Sequence, residues 1–548
     1  MFGLITSLAG FFNRPVLLGT SLPPDHKVNS FSFAPYYVGY SPLERKFPTT
    51  AQIRADIELI SGHTDGLRTY SSREGLDKAH ALIQQNELNL IQGAWLTHND
   101  SIEGRLSNHH EVTALIQAAR EHPETVKRVI VGNEVLLRGD MEIEPLIQYI
   151  RTVRQAIDQP VSYADVWSLY LKHPELINEV DFITIHILPY WEDEPIAVEK
   201  APQHLLTIIE QVKKEAQELG INKPILIGET GWPAQGRQRG QAVPSPENQA
   251  FYIREVVRLA SLHNIDYNLV EAFNQPWKSK LEGKVGAHWG MFDANRNAVF
   301  ALSGPVQGNP DWLLELIPGF ILALLFLATY HRDLKTLNGQ QAALLTGLFS
   351  LLFTLWGQYI WREFIDCLHG TSSWALAIPQ AALAGVTVWL QSRFFVAASA
   401  GKAHRLVTSL EVSQSFVWLA ALFFTVQMGV YGRYLEFQTD WLMPVAIGAA
   451  GVWALSKRHT KLRLFSRTES KAMHRVKTGA FLGSALWLLV GEVKSYLHGR
   501  DFQLAHPELA ESIAYALFYT FTNTQLLIWL VCLLALSIAL KLPGSRSL

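Results

Sequence analysis

The chain has 548 residues, too many for one ordinary domain, and its formal net charge of −2 argues against a nucleic-acid partner. Its two cysteines, Cys367 and Cys532, both lie in the second half, so the first half has no disulfide framework or cysteine-built metal centre. Charges are spread through residues 1–305, whereas from Trp312 onward long apolar runs alternate with short polar loops.

Residues 1–26 come first. Met1 to Phe12 is apolar, but no basic residue precedes it and Asn13-Arg14-Pro15 interrupts it, which makes a poor export signal. Two readings stay open: an uncleaved signal-anchor, or a true start further upstream.

Residues 27–305 carry eight short β-branched or aromatic runs. The first four are Phe31–Pro35, Gly66–Tyr70, Leu88–Ala94 and Arg128–Gly132. The last four are Val161–Ala164, Phe182–Ile187, Ile225–Gly228 and Tyr267–Phe273. Helical periodicity fills most gaps, at 50–61, 73–86, 109–121, 142–157, 201–218 and 246–262. Strands alternating with helices predict a parallel sheet, and eight such units predict a closed (β/α)8 TIM barrel. A doubly wound open sheet usually carries a glycine-rich phosphate turn after its first strand, and none is present.

In such a barrel the chemistry belongs at the C-terminal ends of the strands. Glu134 follows Val129-Ile130-Val131-Gly132-Asn133 at the end of the fourth strand, and Glu229 follows Ile225-Leu226-Ile227-Gly228 at the end of the seventh. Two carboxylates flanking a glycosidic bond are what its cleavage requires. Asn133 offers an amide to a sugar hydroxyl beside the reacting carbon. Trp95, Trp191, Trp232, Trp277 and Trp289 also fall at or just after strand ends, where indole planes suit the C–H faces of sugars. The pattern predicts a polysaccharide cleft.

Residues 311–540 read as an all-α polytopic transmembrane domain. Seven segments approach the roughly 20 apolar residues that a span needs. They lie near 312–330, 340–362, 373–391, 414–432, 441–456, 479–496 and 512–539. The basic loops at 331–339, 392–412 and 457–478 alternate with loops that carry little charge, and the tail 541–548 adds Lys541 and Arg546. By the positive-inside rule the basic loops face the cytoplasm and residues 27–305 lie outside it. Asp311-Trp312-Leu313 recurs as Asp440-Trp441-Leu442. Glu363 with Leu368-His369-Gly370 recurs as Glu492 with Leu497-His498-Gly499. This is either a parallel repeat of the kind found in transport folds or a likeness of lipid-facing composition.

Several blocks resemble glycoside hydrolase family 17. The strongest are Gly132-Asn133-Glu134-Val135, Gly228-Glu229-Thr230-Gly231-Trp232-Pro233 and Glu271-Ala272-Phe273-Asn274-Gln275-Pro276-Trp277-Lys278. Weaker blocks follow in order: Phe33–Tyr36, Leu67–Tyr70, Pro189-Tyr190-Trp191 and His288–Asp293. The resemblance implies a retaining enzyme acting on β-1,3-glucan without metal or cofactor, with Glu134 as acid/base and Glu229 as nucleophile. It implies that Tyr36, Arg68, Tyr70 and Asn133 support the reacting sugar, and it places Glu271 and Lys278 in the block after strand eight. Tyr190 and Trp191 join Trp95, Trp232 and Trp277 as expected substrate-binding residues. Two departures stand out. Asn274-Gln275 replaces an acidic pair, and His186-Ile187-Leu188-Pro189-Tyr190 stands where many members read Asn-x-Tyr-Pro-Tyr.

A family 17 domain followed by many spans is similar to bacterial membrane-bound proteins that modify β-1,3/1,6-glucans. That likeness implies a multi-pass inner-membrane protein with a periplasmic catalytic domain and a cytoplasmic C-terminus. Expected partners are a β-glucan, the lipid bilayer and a glucan synthase. Three functions compete: transglucosylation that extends or branches a cell-made glucan, hydrolysis to oligosaccharides, and non-catalytic glucan reception or export.

Overall fold

Strands in a barrel are buried on both faces, one lining the interior and one lying under a helix, which is why the eight runs are largely apolar. The computed structural model describes residues 2–368, 374–399, 406–458 and 471–539. Eight parallel strands close into a barrel in sequence order. They are β1 (Phe31–Ser32), β2 (Gly66–Arg68), β3 (Asn89–Ala94), β4 (Val126–Asn133), β5 (Val161–Val166), β6 (Ile183–His186), β7 (Ile225–Thr230) and β8 (Asp266–Leu269). Phe31 pairs with Leu269 and closes the ring.

Each expected strand is present with shifted ends. β8 stops at Leu269 instead of Phe273 because the chain then turns to other partners: Ala272 N–H donates to the Ser32 carbonyl at 3.0 Å, and Phe273 bridges Phe292. The helix Ile102–Glu121 starts ahead of the expected residue 109 because Ser101 caps it, its side chain accepting from Gly104 N–H. Helix Ala201–Glu218 buries Leu205, Ile208, Ile209, Val212 and Ala216 along one face, as its periodicity predicts. The helices Trp167–Lys172 and Glu175–Glu179 are too short to show a period in the sequence. The barrel unit comprises Val16–Gly236 and Gln241–Val306.

The second unit contains the helix Phe2–Phe12, the stretch Arg237–Gly240 and the chain from Gln307 onward. Five of its described helices are long and apolar enough to cross a membrane: Trp312–Leu334, Gly339–Ile365, Trp374–Ser399, Thr408–Val430 and Arg475–Leu497. The expected spans at 441–456 and 512–539 differ from these. The first lies in a shorter apolar helix, Thr439–Leu455. The second is two helices, Leu509–Thr522 and Thr524–Ala539, bent by 71°. Asn523 makes the break, with extended backbone and a side chain that accepts from Leu526 N–H at 3.1 Å, as an N-cap does.

Backbone freed at such a break must find partners inside the protein. Gln238 supplies them: its Nε2 donates to the Thr522 carbonyl at 3.2 Å and its own carbonyl accepts from Asn523 Nδ2 at 2.9 Å. Next to it Arg237 pairs with Glu492, both almost wholly buried. Glu492 is therefore held in a buried ion pair within this unit. His369 and Gly370 of the recurring motif, the loop residues 400–405 and 459–470, and the tail 541–548 lie outside the described residues.

Candidate active site

Three of the barrel's strand pairs slip register next to the mouth. The shifts fall between Ile130 and Asn133 on β4, between Ile185 and His186 on β6, and between Ile227 and Thr230 on β7. Irregularities of this kind re-aim side chains. Here they set Asn133 opposite Ala164 and His186 opposite Glu229.

Glu134 follows β4 with φ of 52°, a left-handed conformation uncommon for a residue with a side chain. Its N–H donates to the Ala164 carbonyl at 2.8 Å, and Arg138 binds the preceding Asn133 carbonyl, which holds the turn in place. Gly132, at φ 89°, leaves room that a Cβ would take from Val135, 2.9 Å away. Strain so maintained is typical of functional turns.

Glu229 is the penultimate residue of β7 and only 8% exposed. Arg68 from the end of β2 donates from Nη1 to Glu229 Oε1 at 3.0 Å and to the Gly228 carbonyl at 2.7 Å, and from Nη2 to Asn133 Oδ1 at 2.6 Å. Burial works to raise the Glu229 pKa. His186, Arg68, a Tyr70 hydrogen bond and Lys278 outweigh it and hold the group below the ordinary carboxylate value. Tyr70 is anchored through Ser32 at 2.9 Å, and Asn268 ties Ser32 to Gly228.

His186 joins the two glutamates. Its Nδ1 lies 2.8 Å from Glu134 Oε1 and its Nε2 lies 3.7 Å from Glu229 Oε1. One donor atom from each of the three residues falls within a 4.8 Å cluster. The Glu134 and Glu229 oxygens in it are engaged by His186 Nδ1 and by the cationic Arg68, so charge neutralisation here is the work of side chains. The donor set therefore describes a proton and ion-pair network more than a cation cage.

Beyond β8, Lys278 Nζ donates to both oxygens of Glu271, at 3.0 and 3.1 Å. Burial raises the Glu271 pKa to about 7 against the opposing pull of Lys278. Burial also works against the charge on Lys278, but Glu271, Glu282 and Glu229 outweigh it and raise its pKa.

The aromatic residues fall into two groups. Trp95 is 38% exposed with Arg138 over its ring, and Trp191 and Trp277 are half-buried. These can offer a face to a sugar. Tyr190 and Trp232 are fully buried, and Trp289 nearly so. A ring without an exposed face cannot stack on a substrate, and neither Tyr190 nor Trp232 presents one here. Tyr190 sets its edge against Trp191, Trp232 and Trp289, backing the wall on which Trp191 stacks with Trp289. Tyr36 likewise donates to Glu74 at 2.7 Å and packs edge-on against Trp277. Asn274 accepts from Gly290 N–H, and Gln275 accepts from Trp277 Nε1, which gives both amides a structural task in place of the family's acidic pair.

Two further carboxyls, Asp165 and Glu282, lie beside these residues. Asp165, buried in β5, accepts from Tyr163 and from Val166 N–H, and burial raises its pKa to about 6. Its position at a strand end was a usable signal. Glu282 is raised by burial and by the charges of Glu134 and Glu229, with Lys278 opposing. It sits on a short helix after β8, where no strand pattern points to it.

An eight-stranded barrel with two carboxylates meeting at its C-terminal mouth has the arrangement that glycoside cleavage uses. Residues 32–290 match the family described as the BtgE/BtgC glycoside hydrolase domain. A glucan 1,3-beta-glucosidase of Arthroderma benhamiae is 26% identical over 276 residues, covering 48% of this chain and 87% of that protein. One of Schizosaccharomyces pombe is 27% identical, covering 45% of this chain and 79% of that protein. The crystal structure of the family 17 beta-1,3-glucanosyltransferase from Rhizomucor miehei aligns with 28% identity over 50% of this chain and 98% of its own, at a TM-score of 0.44.

Proposed function

We propose that the barrel is a retaining β-1,3-glucan-active enzyme in which Glu134 is the acid/base and Glu229 the nucleophile. The observation that carries this reading is the approach of one Glu134 oxygen and one Glu229 oxygen to within 4.8 Å. Retaining glycosidases hold their carboxyl groups about 5–5.5 Å apart, and inverting ones leave room for a water between them. Arg68 and His186 keep Glu229 charged for attack on the anomeric carbon, while Glu134 gives its proton to the departing glycosidic oxygen. A hydroxyl then attacks the glucosyl-Glu229 ester and returns a proton to Glu134.

Whether that hydroxyl belongs to water or to another glucan decides between hydrolysis and transfer. The apolar helices favour transfer, since a bundle of this size is excessive for a scavenging enzyme and suits remodelling of the cell's own polymer. The full reading is an inner-membrane protein whose barrel is periplasmic, whose C-terminus is cytoplasmic and whose partners include the bilayer and a glucan synthase.

Detergent-purified full-length protein given laminari-oligosaccharides should yield products longer than the substrate. Exclusively shorter products would leave hydrolysis as the function. Glu229→Gln should abolish both kinds of product, and unchanged turnover would remove Glu229 from the role of nucleophile.

A further inference from the structure

His186 occupies a place that the cleavage reaction does not by itself require. Its ring is 1% exposed and spans the two glutamates, with Nδ1 at 2.8 Å from Glu134 Oε1 and Nε2 at 3.7 Å from Glu229 Oε1. Nε2 has no hydrogen-bond partner among the described residues. The ring fits because residue 228 is glycine: a Cβ there would stand 3.2 Å from His186 Cδ2 and 2.5 Å from Thr184 Cγ2. Register slip on β6 and a glycine on β7 thus combine to seat an imidazole between the carboxylates.

We propose that His186 is a positioning residue that shares one proton with Glu134 and turns its other nitrogen to the Glu229 charge, so that the three groups titrate as a unit. This rests on the assignment of Glu134 and Glu229 above. An asparagine in the same place would bond to either carboxylate but could not carry the proton. The groups facing the imidazole are Glu134 after β4, Asp165 from β5 and Glu229 from β7, with Arg68 of β2 on the same Glu229 oxygen and Lys278 after β8 also acting on the Glu229 charge.

The consequences for pH have definite signs. With Glu229 ionised, one proton held between Glu134 and His186 leaves the acid competent, and the imidazole retains that proton to higher pH than a lone carboxyl can. The basic limb of activity therefore lies higher with the histidine than without it. When the ring is protonated, its charge opposes protonation of Glu229, so the acidic limb lies lower.

The test is the pH profile of kcat/KM for full-length protein and for His186→Asn and His186→Gln, each checked for an unchanged melting temperature. Both variants should narrow the bell, the acidic limb rising and the basic limb falling by about one pH unit each. Limbs that stay in place while the plateau drops would overturn the bridge, as would movement of one limb alone. A readout independent of turnover uses protein labelled at histidine Cε1. The resonance missing from His186→Asn should titrate in the wild type with a midpoint that shifts in Glu134→Gln, and an unshifted midpoint also overturns the proposal. Wild-type protein inactive on every β-glucan would instead count against the assigned reaction, leaving the titration to decide the bridge.

Discussion

At the scale of single residues, the barrel mouth sorts its carboxyls by their surroundings. Glu229 is buried yet held ionised because Arg68 and His186 face it. Asp165 is just as buried, but the neighbours that favour its charge are too few, and its pKa rises to about 6 from 3.8. The sign of the effect on stability follows from proton binding. Between pH 3.8 and about 6 the folded state holds this proton and the unfolded state has released it, so raising the pH through that window weakens the fold. The loss approaches about 3 kcal/mol above the window, two pH units at roughly 1.4 kcal/mol each. Asp165→Asn removes the ionisation. Its unfolding midpoint relative to wild type should therefore climb steadily between pH 4 and pH 6 in thermal scans, and parallel curves would show that Asp165 does not ionise there.

At the scale of elements, short irregularities matter more than long regular runs. The register slips at the ends of β4, β6 and β7 bring Asn133, His186 and Glu229 together, and the left-handed turn at Glu134 presents its carboxyl to them. In the helical unit the informative irregularity is the break at Asn523, whose partners come from Gln238. Arg237 beside it satisfies Glu492, the Leu435 carbonyl and the face of Phe437. Removing one member of a buried ion pair is costly because the other remains buried and charged, typically by about 3–5 kcal/mol. Arg237→Ala should accordingly lower the thermal stability of the helical unit in detergent. The double variant Arg237→Met with Glu492→Leu should recover most of it. A double variant as unstable as the single one would mean that the carbonyl and ring contacts of Arg237 matter more than the charge pair.

At the scale of the whole molecule, two units of different solvent preference share one chain. The barrel has a continuous apolar core beneath a polar exterior, whereas the helices expose leucine, isoleucine and phenylalanine, among them Leu324, Leu376, Phe416 and Leu486. Exposure of that kind along helices long enough to span suits a hydrocarbon solvent. The orientation proposed here predicts that reporters fused at residue 310 and within 457–478 fall on opposite sides of the membrane. Signals from the same side would reverse or void the topology.

Periodicity is a local property, so much of this was readable from the chain. Eight alternating strand and helix patterns predict the barrel, and the apolar run ahead of a strand-end acid marks Glu134 and Glu229. Five of the seven apolar segments meet the length and composition of a span as single helices, and a sixth does so as a bent pair. What depended on residues distant in sequence was not readable. Trp232 looks like a sugar platform until Tyr190 and Tyr252 pack against it. The last apolar segment looks continuous until Gln238, 284 residues before Thr522, supplies partners for a break. His186 looks like a packed strand residue until the slip between β6 and β7 turns it to both glutamates. Sequence by itself determined the alternation of elements and the chemistry at their ends, since both follow from backbone geometry and residue type within a few positions. The tertiary structure alone decided which side chains share a proton, which rings keep a free face and where a helix breaks, because burial and contact are set by segments that meet only when the chain has folded.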